Sequence, residues 1–325
     1  MIDRLQDALR PTRALLRGRV ASNDAVCRDH HWMKIEVRDF APARCGQFVA
    51  LGSGIGLDDF SGEVVHDWSD EHPPTLETLN TSDRDALLRR PFSLAGATYA
   101  PDGLATLDVL YQVVGVGTRW LSHRRAGDAI TLAGPLGNGF DLDACRSTAL
   151  LVAGGIGLPP MIWLAEALRQ AGRQVNAFCG ARTRALLPLR PLDRRSPTSD
   201  PTSPTIAWRE FAQTPTVVAS DDGSIGAPGF VTAALQCWWD HHRPRGNDVT
   251  VFTCGPEPMI RAAAALAESR GAACQVCMEQ WMACGIGTCQ SCVLKVREPD
   301  DPQGWRYALC CTEGPVFDSR QILWA

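Results

Sequence analysis

The chain has 325 residues, of which 45% are hydrophobic and 21% are charged, and its formal net charge is −4. This is the composition of an ordinary globular protein, and the length suits two or three domains better than one. The small negative charge gives no reason to expect nucleic acid or an anionic membrane surface as a partner.

Targeting signals and disulfides are not expected. The first residues, MIDRLQDALRPTRALL, contain no apolar core, so we expect no secretory signal. No segment approaches the roughly 20 apolar residues that a membrane-spanning helix needs. The thirteen cysteines are an odd number, and seven of them lie in the last 52 residues. This distribution favours the reducing cytoplasm and a metal site over a network of disulfides.

The sequence between about residues 16 and 143 predicts a series of short strands, in which β-branched and aromatic residues recur between Gly, Pro and Asp. The six runs are LRGRVAS, HHWMKIEVRDF, GQFVALG, RPFSLAGAT, ATLDVLYQVVG and DAITLAGPLG. Six such strands predict an antiparallel barrel. The acidic, Ser/Thr-rich tract at 53–87 predicts a surface insertion.

A different pattern begins near residue 144, where apolar strands alternate with helices. STALLVAGGIGLPPMIWLAEALRQAG and DVTVFTCGPEPMIRAAAALAESRG each contain a strand, a glycine turn and an amphipathic helix, and QVNAFCGAR is a further strand. This alternation predicts a parallel α/β sheet. The Pro/Ser/Thr-rich stretch at 188–206 predicts a loop within it.

The C-terminal region holds the most specific motif of the chain. Cys284, Cys289 and Cys292 have the C-x4-C-x2-C spacing of plant-type [2Fe–2S] sites, whose fourth thiolate lies further along the chain. Two glycines between them let backbone N–H groups turn toward the sulfurs. The fourth ligand must be Cys310 or Cys311. If that segment is extended, only one of the two can face the loop.

Structural zinc is the alternative interpretation of the same cysteines, because zinc also takes four thiolates. Zinc sites usually pair two C-x2-C knuckles, and Cys274 and Cys277 form only one. The spacing therefore favours the iron–sulfur cluster.

Two turns of the α/β region predict a dinucleotide site. VAGGIGLPP joins a strand to a helix, where glycines let a pyrophosphate reach backbone amides and the helix N-terminus. TCGP ends a second strand, and ligands of open α/β sheets bind at the carboxyl ends of strands. A single turn of this kind often only packs a helix onto a strand, so the prediction of a dinucleotide site depends on the two turns together. We expect NAD(H) contacts from Gly154, Gly155, Gly157, Cys254, Gly255 and Pro256.

The segment RRPFSLAG lies at the start of a predicted barrel strand. An edge strand, where proline is tolerated, is the simple interpretation. A flavin site is the functional one, in which Ser93 and its backbone bind the isoalloxazine and Arg90 neutralises phosphate. GVGT at 115–118 would add amides and a hydroxyl for the pyrophosphate.

In their order along the chain, these motifs resemble those of dihydroorotate dehydrogenase electron-transfer subunits, which belong to the ferredoxin–NADP reductase superfamily. The matching segments are RRPFSLAG, VGVGT, GPLGNGF, VAGGIGLPPM, DDGSIGAPGFVT, TCGPEPM, MACGIGTCQSC and CTEGPVF. The resemblance implies a multi-domain β + α/β fold. An antiparallel FAD-binding barrel would span 1–143, a Rossmann-like NAD-binding domain 144–270, and a small [2Fe–2S] domain 271–325.

The resemblance also implies ligands by position. FAD would be held by Arg90, Pro91, Phe92, Ser93, Leu110, Tyr111, Gln112, Gly117 and Thr118. The cluster would be held by Cys284, Cys289, Cys292 and Cys311. Cys311 is selected over Cys310 because the family's last ligand stands three residues before GPVF.

The function that the resemblance implies is electron transfer in pyrimidine biosynthesis. Electrons would leave the FMN of a catalytic partner subunit as dihydroorotate becomes orotate, cross the cluster to FAD and reduce NAD⁺. A flavin joins these steps because it exchanges electrons in pairs or singly. No residue is an obvious acid or base for dihydroorotate, so we assign no catalytic residue beyond the cofactor ligands. We expect a hetero-oligomer in the cytoplasm.

Two other functions fit part of the sequence. A reductase of similar build could serve a sulfite reductase, hydrogenase or oxygenase and use NADH or NADPH. Arg182 and Arg184 could meet a 2′-phosphate, although they are equally compatible with solvated surface charges. A zinc-stabilised binding module without enzymatic activity would be colourless, whereas a flavin and a cluster absorb visible light.

Overall fold

A computed structural model describes residues 14–53, 88–192 and 198–324. The first 13 residues, almost all of the insertion predicted at 53–87 and part of the loop predicted at 188–206 lie outside the described residues. No helix in the described ranges is long and apolar enough to cross a membrane.

The N-terminal part is a closed barrel of six antiparallel strands in the order β1-β2-β5-β4-β3-β6. The strands are β1 Ala14–Cys27, β2 His30–Arg38, β3 Phe48–Ser53, β4 Arg90–Tyr99, β5 Leu104–Gln112 and β6 Ala129–Leu136. Alternate side chains fill the interior, as Met33, Ile35 and Val37 of β2 do. Helix α1, Val116–Ser122, packs on this core. The predicted barrel is confirmed.

The next part is a seven-stranded sheet in the order β10-β9-β8-β7-β11-β12-β15, with every pair parallel except β12–β15. Its strands are β7 Thr148–Gly154, β8 Gln174–Ala181, β9 Thr216–Ser220, β10 Ala227–Pro228, β11 Val249–Cys254, β12 Ala273–Cys277 and β15 Val316–Asp318. Helix α2, Leu158–Gln170, covers one face, whereas α3, Val231–His242, and α4, Glu257–Ser269, cover the other.

The C-terminal part lies between β12 and β15. It contains the cysteine loop, residues 284–292, and the hairpin of β13, Val293–Arg297, and β14, Trp305–Leu309. Strands β12 and β15 fall in the predicted third domain, 271–325, yet they complete the sheet of the second. The division into three units stays a prediction, in which the last two units share a sheet.

Candidate functional site

The cysteine loop bends tightly at its two glycines. Gly285 and Gly287 have φ angles of +71° and +92°, which residues with a Cβ rarely adopt. The bend directs the backbone N–H groups of Ile286 and Cys289 toward the sulfur of Cys284, at 3.5 and 3.4 Å. A sulfur that accepts backbone hydrogen bonds in this way is suited to a cluster, whose potential depends on such bonds.

The two candidates for the fourth ligand have different surroundings. Cys310 and Cys311 lie in a turn directly after β14, so the extended segment expected there is wrong. The backbone N–H of Cys311 donates to Cys292 Sγ at 3.4 Å, and burial together with Cys292 raises the pKa of the Cys311 thiol. Cys310 Sγ instead donates to the carbonyl of Met278 at 3.4 Å. The Cys311 thiol thus lies beside Cys292, whereas Cys310 contacts Cys292 through its backbone N–H, which donates to the Cys292 carbonyl at 3.0 Å.

The four predicted cluster ligands come together in two pairs. Cys284 contacts Cys289, and Cys292 contacts Cys311, while an interaction between Cys284 and Cys311 links the pairs. A [2Fe–2S] rhomb takes two thiolates at each iron, so this donor set fits the cluster. Among the described residues, no three His, Cys, Asp or Glu side chains converge as ligands of one metal ion do.

The ligand thiols differ in acidity. Hydrogen bonds with Ser291, together with those to Cys284, lower the pKa of Cys289 to about 6. Burial raises the pKa of Cys311 to about 12, and the neighbouring Cys292 adds to the rise. Because metals bind thiolates, Cys289 is ready to bind near neutral pH, whereas Cys311 must lose a proton on ligation.

At one end of the barrel, Arg90, Phe92 and Gly117 line a common narrow crevice. The Arg90 guanidinium donates to the carbonyls of Leu88 and Arg89 at 2.8 and 3.3 Å, and no carboxylate of the described residues pairs with it. A Cβ on Gly117 would lie 3.3 Å from the Arg90 side chain, so glycine leaves room beside the charge. A guanidinium that no carboxylate of the described residues neutralises, packed closely against the Gly117 backbone, fits a flavin phosphate.

Two of the predicted flavin side chains are engaged within the protein. The Thr118 hydroxyl accepts hydrogen bonds from the N–H groups of Val114 and Gly115, at 2.9 and 3.1 Å, and stabilises the start of α1. The Tyr111 ring is buried in the barrel interior, where its hydroxyl donates to Asn23 Oδ1 at 3.0 Å. The structure therefore does not bring the Tyr111 ring to the outer face.

A row of four side chains crosses the outer face of the barrel. Phe48 of β3 lies opposite Ser93 on one side and opposite Leu136 on the other. Strands β4 and β5 pair from Leu94 opposite Val109, and both of these side chains lie inside the barrel, so the preceding Ser93 and the following Leu110 present their side chains on the outer face. Residues opposite each other in antiparallel strands present their side chains on the same face, so the four are contiguous.

The two ends of this barrel row reach the other two sites. Leu110 belongs to the apolar core around α2, whereas Phe48 and Leu136 belong to the core that contains Cys292 and Cys311. A Cβ on Gly285 of the cysteine loop would lie 3.4 Å from Leu136 and 3.5 Å from Phe48. The middle of the row thus lies between the two glycine turns, VAGGIGLPP at 152–160 and TCGP at 253–256, and the cysteine loop.

The two predicted nicotinamide turns pack against each other at the carboxyl ends of the neighbouring strands β7 and β11. A Cβ on Gly157 would overlap the carbonyl oxygen of Cys254, and one on Gly154 would lie 2.5 Å from Met259 Sδ. Packing alone explains these glycines. Gly155 differs, because its φ is +52° and a Cβ there would meet nothing within 4 Å. This open backbone at the N-terminus of α2 fits a dinucleotide phosphate.

Gly255 and Pro256 form the second turn. Gly255 has a φ of +148°, and a Cβ there would lie 2.8 Å from the carbonyl oxygen of Gly154. The Pro256 carbonyl accepts the N–H of Met259 at 2.9 Å and begins α4. Nearby, Thr253 Oγ1 is buried without a hydrogen-bond partner among the described residues. Such a group is where a bound ligand or water would form a bond, and sequence analysis missed it.

A cavity of about 550 Å³ lies between the barrel and α2, away from all the predicted cofactor residues. Two ion pairs lie in its lining: Lys34 Nζ lies 2.6 Å from Asp108 Oδ1, and Arg190 Nε lies 2.7 Å from Glu210 Oε1. Because none of the predicted cofactor residues lines the cavity, we assign it no part in cofactor binding.

Comparison with known proteins identifies the family. Residues 279–323 match the family model of the iron–sulfur cluster binding domain of dihydroorotate dehydrogenase B. The chain is 35% identical over 246 residues to the dihydroorotate dehydrogenase B (NAD(+)) electron transfer subunit of Geobacillus sp. strain WCH70, covering 75% of this chain and 83% of that protein. The chain belongs to this family of electron-transfer subunits. The corresponding subunit of Desulforamulus reducens is 34% identical, over 74% of this chain and 82% of its own length.

The fold of this electron-transfer subunit is shared with a solved reductase. The structure of an NADH-dependent reduced ferredoxin-NADP oxidoreductase aligns with 94% of this chain and 90% of its own, with a TM-score of 0.66 and 24% identity. The predicted multi-domain β + α/β fold of the ferredoxin–NADP reductase type, with a C-terminal iron–sulfur domain, is confirmed.

Sequence analysis assigned no role to two residues of this electron-transfer subunit that join its parts. Phe48 lies in GQFVALG, which was predicted only as a strand and carries no motif. Asn138 belongs to GPLGNGF, which was recognised only as a marker of the family. Its side chain contacts the segment that follows Cys311.

Proposed function

We propose that this chain is the NAD-linked electron-transfer subunit of a dihydroorotate dehydrogenase. It passes electrons between the FMN of a catalytic partner subunit, its own [2Fe–2S] cluster, its own FAD and NAD(H), as dihydroorotate is oxidised to orotate in pyrimidine biosynthesis. The barrel row carries this proposal, because it puts Ser93 between the glycine turns and the cysteine loop. The names of the relatives support dihydroorotate as the electron donor.

The flavin belongs on the outer face and the nearby end of the barrel. Bound FAD supplies the exchange between a hydride and single electrons. The Arg90 guanidinium and the Gly117 backbone bind its phosphates, and Ser93 orients the ring beside Leu110. Tyr111 supports this face from the barrel interior. The complete proposed set is Arg90, Pro91, Phe92, Ser93, Leu110, Tyr111, Gln112, Gly117 and Thr118.

The nicotinamide dinucleotide belongs at the two glycine turns. The open backbone of Gly155 binds the pyrophosphate at the start of α2. Gly157 lets the turns approach each other, which keeps Cys254 near the dinucleotide. The complete proposed set is Gly154, Gly155, Gly157, Cys254, Gly255 and Pro256.

The cluster belongs between the barrel and a partner subunit. Its proposed ligands are Cys284, Cys289, Cys292 and Cys311. Cys292 and Cys311 are buried on the barrel side, whereas Cys289 and Ile286 are exposed. We place the FMN-containing catalytic subunit on this exposed side, so that electrons enter the chain through the cysteine loop.

The domain division and the compartment remain part of the proposal. The barrel domain spans 1–143, the dinucleotide domain 144–270 and the cluster domain 271–325. The many free cysteines support a reducing compartment, the cytoplasm.

The proposal is tested with the chain purified anaerobically, alone and together with an FMN-containing catalytic subunit. We expect bound FAD and about two irons and two acid-labile sulfides per chain. NADH alone should bleach the flavin absorbance, and dihydroorotate should reduce NAD⁺ only when both subunits are present. A reductase for another partner would bind the same cofactors but fail the last assay. Stoichiometric zinc without sulfide would refute the cluster.

A further inference from the structure

We propose that Asn138 is a positioning residue for the iron–sulfur cluster, which holds the turn carrying Cys311 against the barrel. The inference rests on the proposed cluster ligands and adds a residue that touches none of the four sulfurs. It explains how the last ligand, which is distant in sequence from the cysteine loop, is held in place.

Asn138 lies in the loop after β6 and forms four hydrogen bonds with one short segment. Its backbone N–H donates to the carbonyl of Gly314 at 2.6 Å. Its Nδ2 donates to the carbonyls of Glu313 and Val316, each at 2.8 Å. Its Oδ1 accepts the N–H of Val316 at 2.9 Å. Both amide hydrogens and the amide oxygen are therefore used.

The segment that Asn138 holds is the end of the turn at residues 310–313, which contains Cys311 and is called the cysteine turn here. It begins two residues after Cys311 and leads into β15. The Glu313 side chain ties the same turn to the hairpin, because it accepts the N–H of Leu309 at 3.0 Å and lies 2.6 Å from Arg306 Nη1. The turn is thus attached to the hairpin through Glu313 and to the barrel through Asn138. The position of Cys311 relative to the barrel depends on the second attachment.

The barrel holds Asn138 through residues next to the barrel row. Gln47 Nε2 donates to the Gly137 carbonyl at 2.8 Å, and Gln47 directly precedes Phe48. Gly137 has a φ of +72°, and a Cβ there would lie 2.6 Å from Pro315 Cδ. Only glycine allows this close approach. A continuous set of contacts therefore runs from the proposed flavin face to the last cluster ligand.

Gln275 provides a matched control. Its side-chain amide also joins the segment after the barrel to the α/β sheet, since Oε1 accepts the N–H of Asp141 at 2.9 Å and Nε2 donates to the Asp141 carbonyl at 2.8 Å. These bonds do not involve the 313–316 segment. Gln275→Ala thus removes a comparable contact and leaves the cysteine turn attached.

The test compares wild type, Asn138→Ala, Asn138→Asp and Gln275→Ala, each prepared anaerobically with its cluster. Alanine removes all three side-chain bonds. Aspartate keeps the acceptor for Val316 but sets a carboxylate oxygen against the carbonyls of Glu313 and Val316. The measurements are the rate at which an iron chelator bleaches the cluster, the electron paramagnetic resonance spectrum of the reduced cluster, and the FAD content.

We expect both Asn138 variants to lose the cluster about tenfold faster than wild type, as for other residues that orient metal ligands. Their resonance spectra should change, their FAD content should not, and Gln275→Ala should match wild type. Wild-type behaviour of both Asn138 variants would overturn the inference. Equally fast loss of the cluster in Gln275→Ala would also overturn it, because any bond between the segment after the barrel and the rest of the chain would then stabilise the cluster.

If the alanine variant fails to fold, the aspartate variant decides by the same readouts. Iron and sulfide analysis of the wild type comes first and separates the two proposals. A wild type without a cluster refutes the proposed function, and the inference with it, before any variant is compared.

Discussion

Serine at each of the two adjacent cysteines should separate a cluster ligand from a buried packing residue. Cys311→Ser removes the side chain that faces Cys292, whereas Cys310→Ser alters a thiol whose partner is the carbonyl of Met278. We expect Cys311→Ser to keep FAD and lose nearly all iron, and Cys310→Ser to keep both. The two variants differ by one position and by one sulfur atom, so each is the control for the other.

The magnitudes follow from the two environments. Cys310 is fully buried in an apolar core, where a serine hydroxyl keeps one hydrogen bond to Met278. A hydroxyl satisfied in this way costs about 1–2 kcal/mol, which lowers the midpoint of thermal unfolding by a few degrees. Loss of a direct ligand should weaken iron binding by more than the roughly 10–100-fold that outer residues of metal sites contribute.

Iron and sulfide analysis, visible absorption and thermal unfolding of the two variants measure these effects. NADH should still bleach the flavin in Cys311→Ser, because hydride transfer to FAD does not use the cluster. Exchange of electrons with the FMN of a catalytic subunit should fail. If Cys310→Ser loses the cluster while Cys311→Ser retains it, the ligand assignment is shifted by one residue and the reasoning is refuted.

Three further predictions concern the barrel and the glycine turns. Replacing Arg90 and Ser93 together by Ala should release FAD but leave the iron content unchanged, and equal loss of both cofactors would argue against separate sites. Gly157→Ala should destabilise the chain by about 1–3 kcal/mol in urea unfolding, because the new Cβ overlaps the Cys254 carbonyl; Gly115→Ala, whose Cβ meets nothing within 4 Å, is the control and should be close to neutral. His31→Phe should stabilise the chain, more at about pH 5 than at pH 8. The ring is stacked on Tyr111 and its Nδ1 is buried without a partner among the described residues. Burial lowers the pKa of His31, so at acidic pH the unfolded chain binds a proton at this histidine more readily than the folded chain does. The stability of the wild type therefore falls as the pH is lowered. Identical pH dependence of wild type and variant would contradict this account.

Local sequence patterns were sufficient to predict the strands, the helices and three of the four cysteines of the candidate cluster. Runs of β-branched and aromatic residues between Gly, Pro and Asp predicted all six barrel strands, because such residues favour strands and the breakers favour turns. The switch to continuous apolar strands and amphipathic helices predicted the α/β sheet for the same local reason. The spacing of Cys284, Cys289 and Cys292 predicted a loop that gathers three thiols, and Gly285 and Gly287 supply the bends that it needs.

Interpretation of the glycine and flavin motifs was less complete. The spacing of VAGGIGLPP indicated a phosphate turn, but the structure separates its glycines into Gly155, which is open, and Gly157, whose missing side chain admits the Cys254 carbonyl. The resemblance to the family placed Tyr111 beside the flavin without deciding the face of the strand on which its ring lies. The register of β5 turns its ring into the barrel, since neighbouring residues of a strand point to opposite sides.

What the sequence by itself determined about this protein is its order of parts, its strands and helices, and three of the four thiols of its candidate cluster. Each of these follows from residues close together along the chain. The choice of Cys311 over Cys310 came only from the resemblance, and it is the tertiary structure that sets Cys311 beside Cys292 and bonds the Cys310 thiol to the Met278 carbonyl. Tertiary structure alone decided that Asn138 binds a segment some 175 residues away. These contacts depend on how a barrel and a sheet pack together, and side-chain direction in a turn is set by that packing rather than by the neighbouring residues.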